Sequence, residues 1–267
     1  MNPAPSLVFI TGASSGIGQA LALRYHQAGW RLALVARRAD VMHTWAQTQG
    51  LATDDYRVFE ADVSDNESII GAAEQCIAQW GLPQVVIANA GISQGMDTAE
   101  REDLSILRNV MATNNLGLAA TFHPFIRPMQ AQATGTLPFT LVGIASVAGI
   151  RGLPGHAAYC ASKAAVISYC ESLRGELRGK GERKGVRVVT ISPGYIDTPL
   201  TRKNKYPMPF LMTAEAFADK AFQTISTGTS YSVIPWQMGV VAKLLRLLPN
   251  TLFDRLLQGQ PRKHRER

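Results

Sequence analysis

Leu7-Val-Phe-Ile-Thr-Gly-Ala-Ser-Ser-Gly-Ile-Gly18 is the stretch that decides the fold of this 267-residue chain. Its first four residues are apolar, which predicts a short buried strand, and Thr11–Gly18 is a glycine-rich turn. Gln19–Ala28 then predicts a helix that ends at Gly29. A strand, a glycine-rich turn and a helix in direct succession present backbone N–H groups and a positive helix end to a phosphate. The spacing is G-x-x-x-G-x-G rather than the commoner G-x-G-x-x-G, but its place after a buried strand indicates a dinucleotide site.

The second predicted strand, Arg31–Ala36, bears on the choice of dinucleotide. It is followed directly by Arg37 and Arg38. In dinucleotide folds an acidic residue at this point bonds the ribose 2′-hydroxyl of NAD, whereas an arginine accommodates the 2′-phosphate of NADP. Ala36 has no carboxylate to repel that phosphate, and Asp40 lies too far beyond the strand end to bind the ribose. We therefore predict NADP(H) in preference to NAD(H), with solvated loop arginines as the alternative.

The remaining strands predict an α/β fold with a doubly wound parallel sheet and helices on both faces. Continuous apolar strands that alternate with helices are typical of such sheets, which bind ligands at the carboxyl ends of their strands. Gly12, Arg37, Asp62 and Asn89 all fall at predicted strand ends. We predict one domain over residues 1–267, with a helical extension and basic tail over 236–267. The further predicted strands are Tyr56–Glu60, Gln84–Ala88, Pro138–Ala145, Val186–Ile191 and Tyr231–Pro235.

Several helix boundaries follow from single residues. Ser64 is predicted to cap the third helix in a capping box with Glu67. Asn114, Asn115 and Gly117 are poor helix formers within a segment that is otherwise helical. They indicate a kink, a buried polar contact or a solvent-facing turn. Pro124 and Pro128 are predicted to bend or end the same element.

Tyr159 and Lys163 form the candidate catalytic pair. In a helix over 157–178 they are one turn apart on one face. A neighbouring ammonium favours phenolate and is expected to lower the tyrosine pKa towards the working pH. Ser146, at the end of a predicted strand, supplies a hydroxyl for a substrate oxygen. Taken alone, a tyrosine and a lysine at this spacing are also common on ordinary helix surfaces.

The composition excludes several classes of protein. The three cysteines, Cys76, Cys160 and Cys170, are scattered and form no C-x-x-C pair, so neither a disulfide framework nor a metal site is predicted. The N-terminal residues lack the features of a signal peptide, and no stretch reaches the ~18 apolar residues of a membrane span. Of the net charge of +7, the last seven residues contribute +3. The rest is only mildly basic, which argues against nucleic-acid binding as the main task. The scattered cysteines indicate a reducing compartment, and we therefore predict a cytoplasmic protein.

The motifs together resemble the short-chain dehydrogenase/reductase (SDR) family, in its single-domain branch. They occur in the family's order over roughly residues 6–200. The matching pieces are Thr11-Gly12-x-x-x-Gly16-Ile17-Gly18, Asp62-Val63, Asn89-Ala90-Gly91, Asn114-x-x-Gly117, Ser146, Tyr159-x-x-x-Lys163 and Pro193-Gly194 followed by Thr198.

The resemblance implies a seven-stranded Rossmann sheet and a catalytic role for four residues. Tyr159 would be the general acid/base, Lys163 would lower its pKa and bond the nicotinamide ribose, and Ser146 would hold the substrate oxygen. Asn114 would hold a water that passes protons to Lys163. The implied cofactor-binding residues are Gly12, Ser14, Ser15, Gly16, Ile17, Gly18, Arg37, Arg38, Asp62, Val63, Asn89, Ala90, Gly91, Tyr159, Lys163, Pro193, Gly194, Ile196 and Thr198.

The substrate and the partners are less constrained. Residues 195–212 are rich in large apolar side chains and in prolines, and predict a mobile lid over a moderately apolar carbonyl or alcohol, or else packing on a second subunit of a homo-oligomer. Residues 236–258 form a basic amphipathic stripe. Such a stripe either covers the protein or a neighbouring subunit, or contacts an anionic membrane surface. The alternatives to an NADP(H)-dependent carbonyl/alcohol oxidoreductase are a membrane-associated lipid, steroid or retinoid dehydrogenase and a non-catalytic NADP(H)-binding redox sensor.

Overall fold

The computed structural model describes residues 6–133, 138–179, 185–202, 204 and 207–259. Its centre is a seven-stranded parallel sheet in the order β3-β2-β1-β4-β5-β6-β9, which confirms the predicted doubly wound sheet. The strands are β1 (Leu7–Thr11), β2 (Arg31–Ala36), β3 (Tyr56–Glu60), β4 (Val85–Ala88), β5 (Thr140–Ile144), β6 (Arg187–Pro193) and β9 (Tyr231–Ile234), and a separate pair is formed by β7 (Ile196–Asp197) and β8 (Met212–Thr213).

Helices cover both faces of the sheet. Val8 and Ile10 of β1 point into one hydrophobic cluster, while Leu7 and Phe9 point into the other, because successive residues of a strand face opposite sides. The helices are α1 (Gly16–Gln27), α2 (Ala39–Thr48), α3 (Asn66–Trp80), α4 (Leu104–Met111), α5 (Gly117–Gln132), α6 (Ala157–Glu176), α7 (Ala214–Thr227), α8 (Trp236–Leu247) and α9 (Asn250–Leu257).

The order of the strands positions the site. The chain runs outward from β1 to β2 and β3, and then returns to place β4 on the other side of β1. The carboxyl ends of β1 and β4 therefore border the point where the winding direction reverses, which is where open α/β sheets bind their ligands.

The glycine-rich turn depends on two of its glycines for backbone geometry. Gly12 and Gly16 have φ angles of +66° and +53°, a region that side chains disfavour. A Cβ on Gly12 would also lie 2.8 Å from the Cα of Ala90. The turn can therefore lie directly against the end of β4.

The structure tests two sequence predictions about helix ends, the Ser64 capping box and the effect of the prolines in α5. The N-cap of α3 is Asp65, whose carboxylate accepts from the N–H groups of Glu67 and Ser68, so the predicted Ser64 capping box is wrong. The hydroxyl of Ser64 instead donates to Asp62 at 2.7 Å. Pro124 and Pro128 lie inside α5, which continues to Gln132, so neither proline ends the helix.

The asparagine-rich interruption is a π-helical turn over Ala112–Leu116, between α4 and α5. Asn114 lies in this turn and is 1% exposed. Of the three interpretations that the sequence allowed, the buried polar contact is confirmed.

The C-terminal extension consists of two helices, α8 and α9. Residues 260–267, which hold the basic tail, lie outside the described residues. Across the described ranges, no helix has the length and apolar character needed to cross a membrane.

Candidate active site

A cavity of about 690 Å³ follows the carboxyl edge of the sheet. It begins at the glycine-rich turn, passes the ends of β2 and β3, and reaches the beginning of α6. The predicted site residues that line it are Gly12, Ser14, Ser15, Gly16, Ile17, Arg37, Asp62, Val63, Asn89, Ala90, Gly91, Ser146, Tyr159, Lys163, Pro193, Gly194, Ile196 and Thr198.

Three predicted residues do not line the cavity. Gly18 is packed behind the turn, where a Cβ would overlap the carbonyl oxygen of Gly12; its part is to let α1 approach the strand. Arg38 is exposed at the N-cap of α2. Asn114 lies directly behind Gly91, because a Cβ on that glycine would be 3.1 Å from the Asn114 Oδ1 atom.

The N-terminus of α1 forms the candidate phosphate-binding end of the cavity. Ser15 is the N-cap of α1, but its side chain makes no capping hydrogen bond. The N–H groups of the first helical turn are therefore not occupied by that side chain, and they are the donors that a phosphate requires. The residues present fit a dinucleotide here.

The side chain of Asn89 is hydrogen-bonded to the glycine-rich turn. Its Nδ2 atom donates to the carbonyl oxygens of Thr11 at 3.0 Å and Gly12 at 3.3 Å. The hydroxyl of Thr11 in turn accepts from the N–H groups of Asn89 at 3.1 Å and Ala90 at 3.2 Å. The ends of β1 and β4 are thereby held together beneath the phosphate site.

Arg37 and Asp62 face each other at the ends of β2 and β3. Their Nη1 and Oδ2 atoms are 3.7 Å apart, and the arginine side chain is 73% exposed. Burial opposes ionisation of Asp62, but hydrogen bonds from Ser64 and the charge of Arg37 outweigh it and hold the pKa of that carboxyl below its usual value. Arg37 is thus an exposed cation at the edge of the cavity, with Asp62 as its nearest carboxylate.

Tyr159, Ser146 and Lys163 come together at the other end of the cavity. The phenol of Tyr159 is hydrogen-bonded to the Ser146 side chain, whose oxygen also accepts from the N–H of Ala148 at 3.2 Å. Lys163 is 5% exposed, and its Nζ atom donates to the carbonyl oxygen of Ile144 at 2.8 Å. β5 and the helix α6 therefore supply the three groups that the sequence singled out.

The pKa values correct one expectation. Burial lowers the pKa of Lys163 to about 8. Burial also raises the pKa of Tyr159 above its usual value, against the opposing effect of the Ser146 hydrogen bond. The predicted lowering of the phenol pKa is therefore not seen as a net effect: the ammonium lies 5.8 Å from the centre of the tyrosine ring, and desolvation is the larger effect.

Both polar atoms of the Asn114 side chain are hydrogen-bonded within the protein. Its Oδ1 atom accepts from the N–H of Ile92 at 2.9 Å, and its Nδ2 atom donates to the Ile92 carbonyl at 3.0 Å and to the Ser162 hydroxyl at 2.9 Å. Ser162 itself donates to the carbonyl oxygen of Tyr159 at 2.8 Å. The amide of Asn114 thus links the segment after β4, at Ile92, to α6, at Ser162.

Sequence reasoning missed Ser162 and several residues of the cavity wall. Ser162 is completely buried and follows Tyr159 by three residues, so the helical spacing could have indicated it. The others lie on a loop, on α4 or in the π-helical turn, where no motif marks them; they are Gln94, Arg108, Asn109 and Thr113. Pro199, Leu200 and Thr201 also line the cavity, and they belong to the segment 195–212 that the sequence predicted as a lid. In the described part of the chain, no cluster of histidine, cysteine or acidic side chains could hold a metal ion.

Comparisons with known proteins agree with this geometry. A family model described as short chain dehydrogenase matches residues 6–208. An uncharacterized oxidoreductase from Myxococcus xanthus is 37% identical over 248 residues, which cover 92% of this chain and 93% of that protein.

Two solved structures share the fold. A short-chain dehydrogenase/reductase from Burkholderia phymatum in complex with NAD has a TM-score of 0.78 at 22% identity, covering 98% of each chain. A short-chain dehydrogenase from Burkholderia cenocepacia in complex with NADP has a TM-score of 0.77 at 22% identity, covering 95% of this chain and 98% of that one. Sequence and fold together show that this chain belongs to the short-chain dehydrogenase/reductase family of oxidoreductases.

Proposed function

We propose that this short-chain dehydrogenase interconverts a carbonyl and a secondary alcohol with NADP(H), using Tyr159 as the general acid/base. The observation that carries the proposal is the hydrogen-bonded pair of Ser146 and Tyr159 at the end of the cavity. Lys163 is buried one helical turn away. Two hydroxyl groups that converge on one point suit a single substrate oxygen.

The protein's part in the reaction is to move one proton and to hold one oxygen. In the reducing direction the Tyr159 hydroxyl donates a proton to the carbonyl oxygen, and in the oxidising direction it accepts the proton of the alcohol. The Ser146 hydroxyl donates to the same oxygen and stabilises the charge that develops there. A bound nicotinamide supplies or accepts the hydride.

Lys163 has two further roles in this proposal. With a pKa of about 8, its side chain can exchange a proton near neutral pH. One Nζ hydrogen is used on the Ile144 carbonyl, and an ammonium has three donors. The others are proposed to bond the nicotinamide ribose and to support loss of the tyrosine proton. Asn114 is proposed to complete a proton path to Lys163 through a bound water.

The preference for NADP(H) rests on Arg37. The exposed guanidinium lines the cavity directly after Ala36, and its planar donors match a phosphate group. Arg37→Ala is expected to weaken NADPH binding by about tenfold or more and to leave NADH binding nearly unchanged. Equal losses for the two cofactors would refute this preference. Arg127→Ala, at an exposed position on α5, is the matched control.

The proposed substrate is a moderately bulky, apolar carbonyl compound or alcohol. Ile92, Pro199 and Leu200 supply apolar side chains to the cavity wall, which also contains polar side chains such as Gln94 and Asn109. We propose that the segment after Pro193 closes over the bound substrate. Tyr206, which the sequence included in this lid, lies outside the described residues. Activity restricted to small, charged substrates would contradict both the lining and the lid.

Tyr159→Phe tests the mechanism. The variant is expected to lose about 10²–10⁴-fold in kcat, followed at the nicotinamide absorbance with a panel of carbonyls and alcohols, and to keep its NADPH affinity. The control is Tyr169→Phe, because Tyr169 lies on the same helix and is 38% exposed. Full activity in Tyr159→Phe would refute the assignment.

The same experiment separates the enzyme from its alternatives. A redox sensor would bind NADPH and show no turnover with any substrate in the panel. Turnover confined to lipids, steroids or retinoids would identify the membrane-associated alternative. Homo-oligomeric assembly and a cytoplasmic location stay predictions, to be tested by analytical ultracentrifugation and by cell fractionation.

A further inference from the structure

Helix α8 carries an exposed apolar stripe. Trp236, Val240, Leu244 and Leu247 recur at three- and four-residue intervals, which places them on one face of the helix. Their exposed fractions are 68%, 47%, 60% and 80%. Four large apolar side chains in one continuous row are more than the single exposed residues that a protein surface normally carries.

The opposite face of α8 is fixed to the body of the protein. Met238, Gly239 and Ala242 are buried. A Cβ on Gly194 would lie 2.8 Å from the Met238 side chain, so α8 packs against the wall of the active-site cavity. A Cβ on Gly239 would lie 3.1 Å from Val233 of β9. Because this face is already in use, the stripe cannot turn inward without unpacking the helix.

Arg151 fixes the second helix, α9, in the same way. Its guanidinium donates to the carbonyl oxygens of Leu245 and Leu248 and, at 3.1 Å, to Asn250 Oδ1. It also lies 3.7 Å over the ring of Phe253. Phe253 is buried, whereas Leu252 and Leu256 on another side of α9 are 48% and 58% exposed. The two helices are therefore anchored through one face each, and each leaves apolar residues in contact with solvent.

The charge around these residues is positive. Lys243, Arg246 and Arg255 are exposed on the two helices, with Asp254 as the one acidic residue there. The chain that follows, residues 260–267, adds four Lys/Arg and one Glu by sequence. A second copy of this chain would bring the same positive charges together, whereas anionic headgroups complement them.

We propose that the interfacial face, formed by Trp236, Val240, Leu244, Leu247, Leu252 and Leu256, lies on an anionic phospholipid surface. Exposed apolar side chains flanked by lysine and arginine, with a tryptophan at one end, are the features by which a helix binds in the plane of a bilayer surface. The proposal is independent of the reaction that the enzyme catalyses. It also explains why α8 and α9 are held firmly by buried contacts and yet display leucines to solvent.

The test is co-sedimentation of the full chain with vesicles of phosphatidylcholine alone or mixed with phosphatidylserine. We expect binding to the mixed vesicles, weakened by salt. Leu244→Gln combined with Leu247→Gln should reduce the partition coefficient at least about tenfold, because two apolar side chains are lost from the contact. Leu104→Gln is the matched control, since Leu104 is 57% exposed on α4 and lies outside the interfacial face.

Trp236 provides a second measurement. Its fluorescence, obtained as the difference between the native chain and Trp236→Phe, should shift to the blue when phosphatidylserine vesicles are added. Thermal melts should show that all variants are folded.

Three outcomes would overturn the proposal. The first is no binding to either vesicle, and the second is equal binding by the double variant and the native chain. The third is a smaller molecular mass for the double variant in light scattering, which would show that a second copy covers this face.

Discussion

The Tyr159 end of the cavity contains buried polar side chains, whereas the C-terminal helix pair, α8 and α9, carries exposed apolar ones. At the cavity, Asn114, Ser162 and Lys163 are at most 5% exposed. On α8, Leu244 and Leu247 are 60% and 80% exposed. Amides and lysines are seldom fully buried, and an exposed leucine is unremarkable singly but not in a row. Neither the buried polar side chains nor the row of exposed leucines is what stability alone would favour. We interpret each as a sign of a binding surface.

Buried polar side chains and exposed leucines differ in what they need from their surroundings. A buried polar group is costly unless it is hydrogen-bonded, and the polar atoms of Asn114 and Lys163 have partners at 2.8–3.0 Å. An exposed leucine needs no partner, because it merely forgoes the stabilisation that burial would give. Substitutions should therefore be severe in the cavity and mild on the interfacial face.

The largest effect on stability is expected for Asn114→Ala. The substitution removes three hydrogen bonds and leaves the backbone groups of Ile92 and the buried hydroxyl of Ser162 without this partner. We expect the free energy of unfolding to fall by about 4 kcal/mol, measured by urea denaturation. Asn109→Ala, at an exposed position on α4, should change it by less than about 0.5 kcal/mol. Similar losses in the two variants would show that the Asn114 contacts are not energetically important.

The next effect depends on pH and concerns Lys163. Its folded pKa of about 8 lies below the usual value near ~10.4, so between these values the unfolded chain binds more protons. Stability contributed by this group therefore rises with pH across that window, and its burial is most costly below pH 8. Relative to Lys163→Met, the native chain should gain about 3 kcal/mol in the free energy of unfolding from neutral pH to the upper end of the window.

Urea denaturation of both proteins at several pH values measures this difference directly. Taking the difference cancels the titration of buried groups that do not interact with Lys163, such as Cys76 and Tyr25, whose pKa values are also shifted. A difference that stays constant with pH would mean that Lys163 keeps its ordinary pKa in the folded protein.

The two regions also differ in how far the sequence predicted them. The cavity residues stand at strand ends, and the parallel sheet brings strand ends together. Position along the chain was therefore enough to predict that Gly12, Arg37, Asp62 and Asn89 share one edge of the sheet. The place of Tyr159 in the same site followed from the family resemblance instead. The pKa of Tyr159 was not predictable, because it depends on burial by residues from several elements rather than on the distance to Lys163 along one helix.

The differences between the predicted and the observed helix ends have local physical causes. Ser64 and Asp65 are both good N-cap residues, and the hydroxyl of Ser64 is used on Asp62 instead. Pro124 and Pro128 are accommodated because α5 packs against α3 and the sheet through buried residues such as Phe122 and Phe125. Tertiary packing of this kind outweighs the helix propensity of single residues.

A smaller effect is expected at Arg151, which connects the two regions. Arg151→Ala removes the donor to the carbonyl oxygens of Leu245 and Leu248 and the contact with the Phe253 ring. We expect a loss of about 2 kcal/mol in the free energy of unfolding, measured by urea denaturation. Arg246→Ala, at an exposed position on α8, should have almost no effect on stability. Equal effects of the two substitutions would indicate that α9 is not held by Arg151.

The smallest effect on the free energy of unfolding is expected on the exposed face of α8. Leu244→Gln combined with Leu247→Gln should change the free energy of unfolding by less than about 0.5 kcal/mol, because both side chains are already in water at 60% and 80% exposure. The matched substitution on the buried face, Met238→Gln, replaces a side chain that is 6% exposed and should cost about 2 kcal/mol or more. Urea denaturation of the two variants without lipid compares the faces of one helix. A large loss in the double variant would mean that these leucines are covered in solution, and α8 would then have no free apolar face to offer a membrane.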